Sequence, residues 1–260
     1  MAVLFAAPAV VISLASASPV QQFVEIRTLD APELFLRKAE FETALKEAKR
    51  IICAFASGNA LPRPRGLGAA RLTVYPSQEV LWRELFRTPP GKEPPPPPRR
   101  TLVAVGGGYR IDAVTPEEFA RVIPEYAALR PDAWIRLIAH ELAHSWQEEL
   151  GALGPRWFFE AFAIIAADQG FGEELKLDTV EAALAPIDWE DRFAYANAAA
   201  RLRYFLRWVG IDEMISRASS PDFESWLRSV PSRRQERQTI RSGETLLKSD
   251  AATAEDCSPF

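Results

Sequence analysis

An α+β fold, with a small mixed or antiparallel sheet packed on helices, is the class predicted by three observations in this 260-residue chain. Short runs of strand type are interspersed with longer stretches of helical period. The composition, 48% hydrophobic and 25% charged, can bury a real core. Two apolar segments in the middle of the chain read as helices buried nearly all round. One domain is expected over residues 22–230, with residues 1–17 and 231–260 outside it.

The elements follow in order. Phe23-Val24-Glu25-Ile26-Arg27 alternates as a strand does, and Asp30-x-x-Glu33 with Pro32 opens a helix expected to run to about Ala56, ahead of Gly58. Arg71 to Tyr75 reads as a second strand, Ser77 as a cap, and Gln78 to Arg87 as a helix carrying Val80, Leu81, Leu85 and Phe86. Residues 88–100, with five consecutive prolines at 94–98, read as a polyproline-like surface loop inside the domain. Thr101 to Ile111 reads as a strand whose glycines at 106–108 permit close approach to its backbone, a plain glycine turn being the equal alternative. Asp132 can cap and Gly151 can end a long helix. Pro155 suits the first turn of the next helix and Gly170 its stop. Asp188 reads as the cap of a helix reaching Val209, and residues 221–227 as a short helix.

The long helix holds the only two histidines of the chain, in His140-Glu141-Leu142-Ala143-His144. Residues four apart stack on one face of a helix, so two imidazoles can reach a single ion about 2 Å away, which is the H-E-x-x-H arrangement of a zinc hydrolase site. Glu141 lies roughly 100° around the helix, beside the ion, where a carboxylate can take a proton from an activated water. A catalytic zinc needs a third protein ligand, and with no histidine left it must be Asp, Glu, Cys or Tyr. Glu160 is the best candidate, the only ionisable side chain between Arg156 and Asp168 in an otherwise apolar helix. A buried carboxylate without a partner is costly, and the ordinary alternative to a metal is an ion pair with an arginine.

His140-Glu141-Leu142-Ala143-His144 followed by Trp146-Gln147, and then Pro155-Arg156-Trp157-Phe158-Phe159-Glu160-Ala161-Phe162-Ala163, resemble the gluzincins, zinc metallopeptidases of the peptidase MA-like superfamily. The resemblance is confined to these two blocks. It implies a zincin-like helical core and one Zn²⁺ held by His140, His144 and Glu160, with Glu141 as general base. It also implies a tyrosine from a later helix near the oxyanion, for which Tyr195 is the candidate and Tyr204 the alternative. Finally, it implies a sheet edge at residues 106–109 to which an extended substrate adds. Ala161 departs from the family, which has glycine after the ligand glutamate, and its methyl is expected to shift the glutamate or its neighbouring helix slightly.

The activity expected is hydrolysis of a peptide or protein substrate. The alternative is a non-catalytic zinc-binding interaction module, and a non-peptide substrate is also compatible with the metal chemistry. A net charge of −4 gives no sign of nucleic-acid binding. The arginines at 228, 233, 234, 237 and 241 are interrupted by glutamate and carry no aromatic platform. The apolar run Met1 to Leu14 leads into Ala15-Ser16-Ala17, a small-x-small pattern, so 1–17 is expected to be a signal peptide directing export to the periplasm or the cell exterior. It lacks a positive n-region, which leaves an upstream start, an uncleaved anchor or a non-targeting N-terminus as other readings. No later stretch is apolar enough to span a bilayer. Cys53 reads as a small core residue and Cys257 as part of a polar tail, neither of them suited to the metal site.

Overall fold

The long helix Ala133–Leu150 is the axis about which the other elements are arranged in this computed structural model, which describes residues 24–26, 31–86, 102–170 and 175–231. The expected signal peptide, the proline-rich loop, Cys257 and all but the first residue of the expected tail lie outside the described residues.

In chain order the strands are β1 (Val24–Ile26), β2 (Arg71–Tyr75), β3 (Ala104–Gly107) and β4 (Arg110–Val114). The helices are α1 (Lys38–Gly58), α2 (Gln78–Leu85), α3 (Pro116–Val122), α4 (Pro124–Ala127), α5 (Ala133–Leu150), α6 (Arg156–Ala166), α7 (Val180–Ala183), α8 (Ala194–Leu206) and α9 (Ile211–Arg217). Residues 223–231 form a further helical segment. The sheet is mixed, ordered β1-β2-β4-β3. β2 runs parallel to both β1 and β4, and β3 is antiparallel to β4 at the edge. An α+β architecture with a small mixed sheet is therefore present.

Several local signals act as the residues dictate. Ser77 caps α2, its hydroxyl accepting from the Val80 N–H, and Gly151 ends α5 in the left-handed conformation at φ 68°. α5 packs on α1 on one side and α6 on another, with β3 laid along it and α8 backing α6. Its residues Ile138 to Gln147 are all buried, polar ones included. One hydrophobic cluster joins residues from Val24 to Val230 and contains the fully buried rings of Phe41, Phe158, Phe162 and Phe205. Each such side chain contributes roughly 1.5–3 kcal/mol through removal from water. Cys53 packs against this cluster as expected. Among the described residues no helix is long and apolar enough to cross a membrane.

Other expectations need correction. Residues 102–111 are not one strand but enter a hairpin, β3 to β4, and the alternative glycine turn is present at Gly108 (φ 54°) and Tyr109 (φ 61°). Two consecutive left-handed residues make the tight turn that suits strand twist. Tyr109 tolerates that backbone because Ser145 Oγ accepts from its N–H at 2.9 Å and Glu149 Oε2 from its hydroxyl at 2.6 Å. The first turns before α1, Pro32–Arg37, are 3₁₀ rather than α-helical. Asp132 precedes α5 without capping it, because its carboxylate is taken by Arg130 and Arg136. α6 ends at Ala166, ahead of Gly170, as Asp168 turns left-handed at φ 49°. Asp188 caps a turn through the Glu190 N–H, and α8 begins only at Ala194.

Candidate metal centre

α5 places His140 and His144 one turn apart, and packing of α6 against α5 brings Glu160 opposite both. The Glu160 Oε2 atom lies 3.5 Å from Nε2 of His140 and 3.6 Å from Nε2 of His144. The three ligand atoms fall within 4.8 Å of one another. A hydrogen bond would bring nitrogen and oxygen to about 2.9 Å. Two ligand atoms about 2.0–2.2 Å from one tetrahedral ion lie about 3.3–3.5 Å apart. The spacing at Glu160 is that of atoms sharing an ion, and this buried group could hold one. No guanidinium pairs with Glu160 among the described residues, which removes the arginine alternative.

The far side of each imidazole sets its tautomer. His140 Nδ1 meets Gln169 Oε1 at 2.8 Å, and His144 Nδ1 meets Gln147 Oε1 at 3.2 Å. An amide oxygen only accepts, so both Nδ1 atoms carry a proton, and Nε2 is the nitrogen of each ring turned to Glu160. Phe159 lies flat on His144, with ring centroids 4.2 Å apart and 9° between the planes, and restrains its rotation. Gln169 reaches His140 because the chain turns back at Asp168, whose carboxylate is held at 2.9 Å by both Arg130 and Arg136. Replacing Gln169 with alanine is expected to weaken metal binding about 10- to 100-fold, read by competition with a chromogenic chelator. Unchanged affinity would mean that packing alone orients the His140 ring.

Electrostatics separate the two glutamates. Burial raises the Glu160 carboxyl, but the His140 and His144 imidazoles outweigh it and hold the group well below the usual carboxylate range. Burial pushes the Glu141 carboxyl up to about 7; Glu160 adds to the rise, while His144 and the Gly106 N–H oppose it. The two carboxyls are thus shifted in opposite directions, Glu160 down and Glu141 up.

No protein-family model, curated protein or solved structure matches the chain.

The edge strand β3 completes the wall beside Glu141. A methyl at Gly106 would sit 2.8 Å from Glu141 Cβ and 2.9 Å from its carbonyl oxygen, so only glycine lets β3 lie this close to α5. Gly106→Ala is expected to destabilise the fold by about 1–3 kcal/mol, measured as a lower Tm. An unaltered Tm would mean that β3 can shift away without loss. Ala161 is fully buried in the core, and its methyl leaves Glu160 facing both imidazoles. Tyr195 is the second residue of α8, edge-on to Trp189 at 5.9 Å and within electrostatic reach of Tyr126. Tyr204, the alternative, is buried against Phe205 and Arg207.

The sequence pointed to His140, His144, Glu160 and Glu141, the first three of which the fold brings together, but not to Gln169, Gln147 or Phe159. Phe159 and Gln147 had a local signal, since each lies beside or three residues from a ligand on a helix. Gln169 had none, because its approach depends on where α6 ends.

Proposed function

We propose that the chain is a zinc-dependent peptidase of gluzincin type with a zincin-like core. The observation that carries this reading is the convergence of two Nε2 atoms on one Glu160 oxygen, with a second, buried glutamate next in sequence to His140. His140, His144 and Glu160 would hold the ion, one Zn²⁺ being favoured by a nitrogen and carboxylate donor set of this size. When bound there, zinc supplies Lewis acidity that lowers the pKa of a water and polarises a carbonyl.

The chain's own residues do the rest. Glu141, held by the Gly106 N–H, takes the water's proton and passes it to the leaving amine. Gln169 and Gln147 keep the imidazoles in the tautomer that leaves Nε2 free. The Tyr195 hydroxyl is the candidate donor to the oxyanion, a role resting on the resemblance and on its place at the start of α8. An extended peptide would lie along the exposed side of β3, the sheet edge next to Glu141. The N-terminal segment 1–17 supports an exported protein.

The test is metal analysis of the purified chain combined with cleavage of a peptide library. Stoichiometric zinc with specific, chelator-sensitive cleavage is the expected result. Zinc without any hydrolysis would turn the reading to a zinc-binding interaction module.

A further inference from the structure

We propose that Arg156, stacked on Trp189, is a carboxylate-binding subsite that selects peptides with an acidic side chain or a free C-terminus near the scissile bond. The inference rests on the peptidase reading and adds the substrate's chemistry to it. Arg156 opens α6 four residues before Glu160, so the two share a face of the helix about 6 Å apart along its axis. Opposite charges at that spacing can pair on a helix, though less strongly with the cation N-terminal. Here Glu160 is turned to His140 and His144 instead, and Arg156 makes no ion pair among the described residues.

Other helix arginines in the fold are engaged: Arg121 with Glu118, Arg50 with Glu47, and Arg136 with Asp132 and Asp168. The Arg156 guanidinium is exposed and lies 4.1 Å above the Trp189 ring, which is half-buried and braced edge-on by Tyr195 at 5.9 Å. A guanidinium over an aromatic face keeps its N–H donors for other partners, and its planar fork suits a bidentate carboxylate. Phe159, between Arg156 and Glu160 on the same helix, lies on His144 beside the metal group. An axial offset of about 6 Å corresponds to about two residues of extended peptide.

The experiment is cleavage of a randomised hexapeptide library, in free-acid and amidated forms, by the zinc-loaded wild type, Arg156→Ala and Arg156→Glu. The wild type is expected to favour peptides with Asp or Glu near the cut, or free acids over amides. Which of the two preferences is present identifies the source of the carboxylate. Arg156→Ala should raise KM for the favoured peptides about tenfold or more with zinc content unchanged, and Arg156→Glu should turn the preference towards Lys and Arg. The same cleavage pattern in wild type and Arg156→Ala overturns the subsite while leaving a peptidase. No cleavage of any peptide by the wild type overturns the peptidase reading, and the subsite with it.

Discussion

Glu141→Gln is expected to lower peptide hydrolysis about 10²- to 10⁴-fold while leaving the metal in place. Glutamine has nearly the same shape, and its amide oxygen can still accept from the Gly106 N–H that now meets the carboxylate. The ligand atoms on His140, His144 and Glu160 are untouched. What disappears is a group able to take and return a proton. Because burial already disfavours the charged carboxylate, the neutral amide is expected to leave Tm unchanged or raise it. Loss of activity with full metal content and an intact Tm is therefore the signature of a general base. Hydrolysis at the wild-type rate would remove Glu141 from the chemistry and leave the general base to another group.

Glu160→Ala is expected to weaken metal binding by about 10²-fold or more, since structural zinc binding of about 10–16 kcal/mol shared among four ligands is roughly 3 kcal/mol for each. The two imidazoles would keep their Nδ1 contacts to Gln169 and Gln147 and remain aimed at the vacated position. Two ligands on one helix face cannot close a tetrahedral site, so the ion is lost to a competing chelator at lower concentration. Glu160→Gln, which keeps the side-chain volume but not the charge, separates loss of a ligand from loss of packing in α6. Wild-type affinity in both variants would show that the third ligand lies elsewhere.

Much of the centre was legible before folding. Two histidines at helical spacing, a glutamate between them and a lone carboxylate in an apolar helix follow from periodicity and from the cost of burying charge, both properties of short stretches of chain. Ser77 and Gly151 marked helix ends for the same reason, as their conformations are set by near neighbours. The hairpin was less legible. Tyr109 carries no sign in its own residue type of a left-handed backbone, and adopts one because Ser145 and Glu149, far along the chain, hold it. Asp132 has the chemistry of a cap, yet two arginines compete successfully for its carboxylate.

The residue types alone determined which side chains could bind an ion and which could move a proton, because donor chemistry and helical period are local. Only the tertiary structure decided that Glu160 meets both imidazoles, that Gln169 folds back onto His140, and that β3 lies against Glu141. Those distances arise from helix and sheet packing around a shared core, where many weak contacts between remote segments set positions that no single stretch of chain can specify.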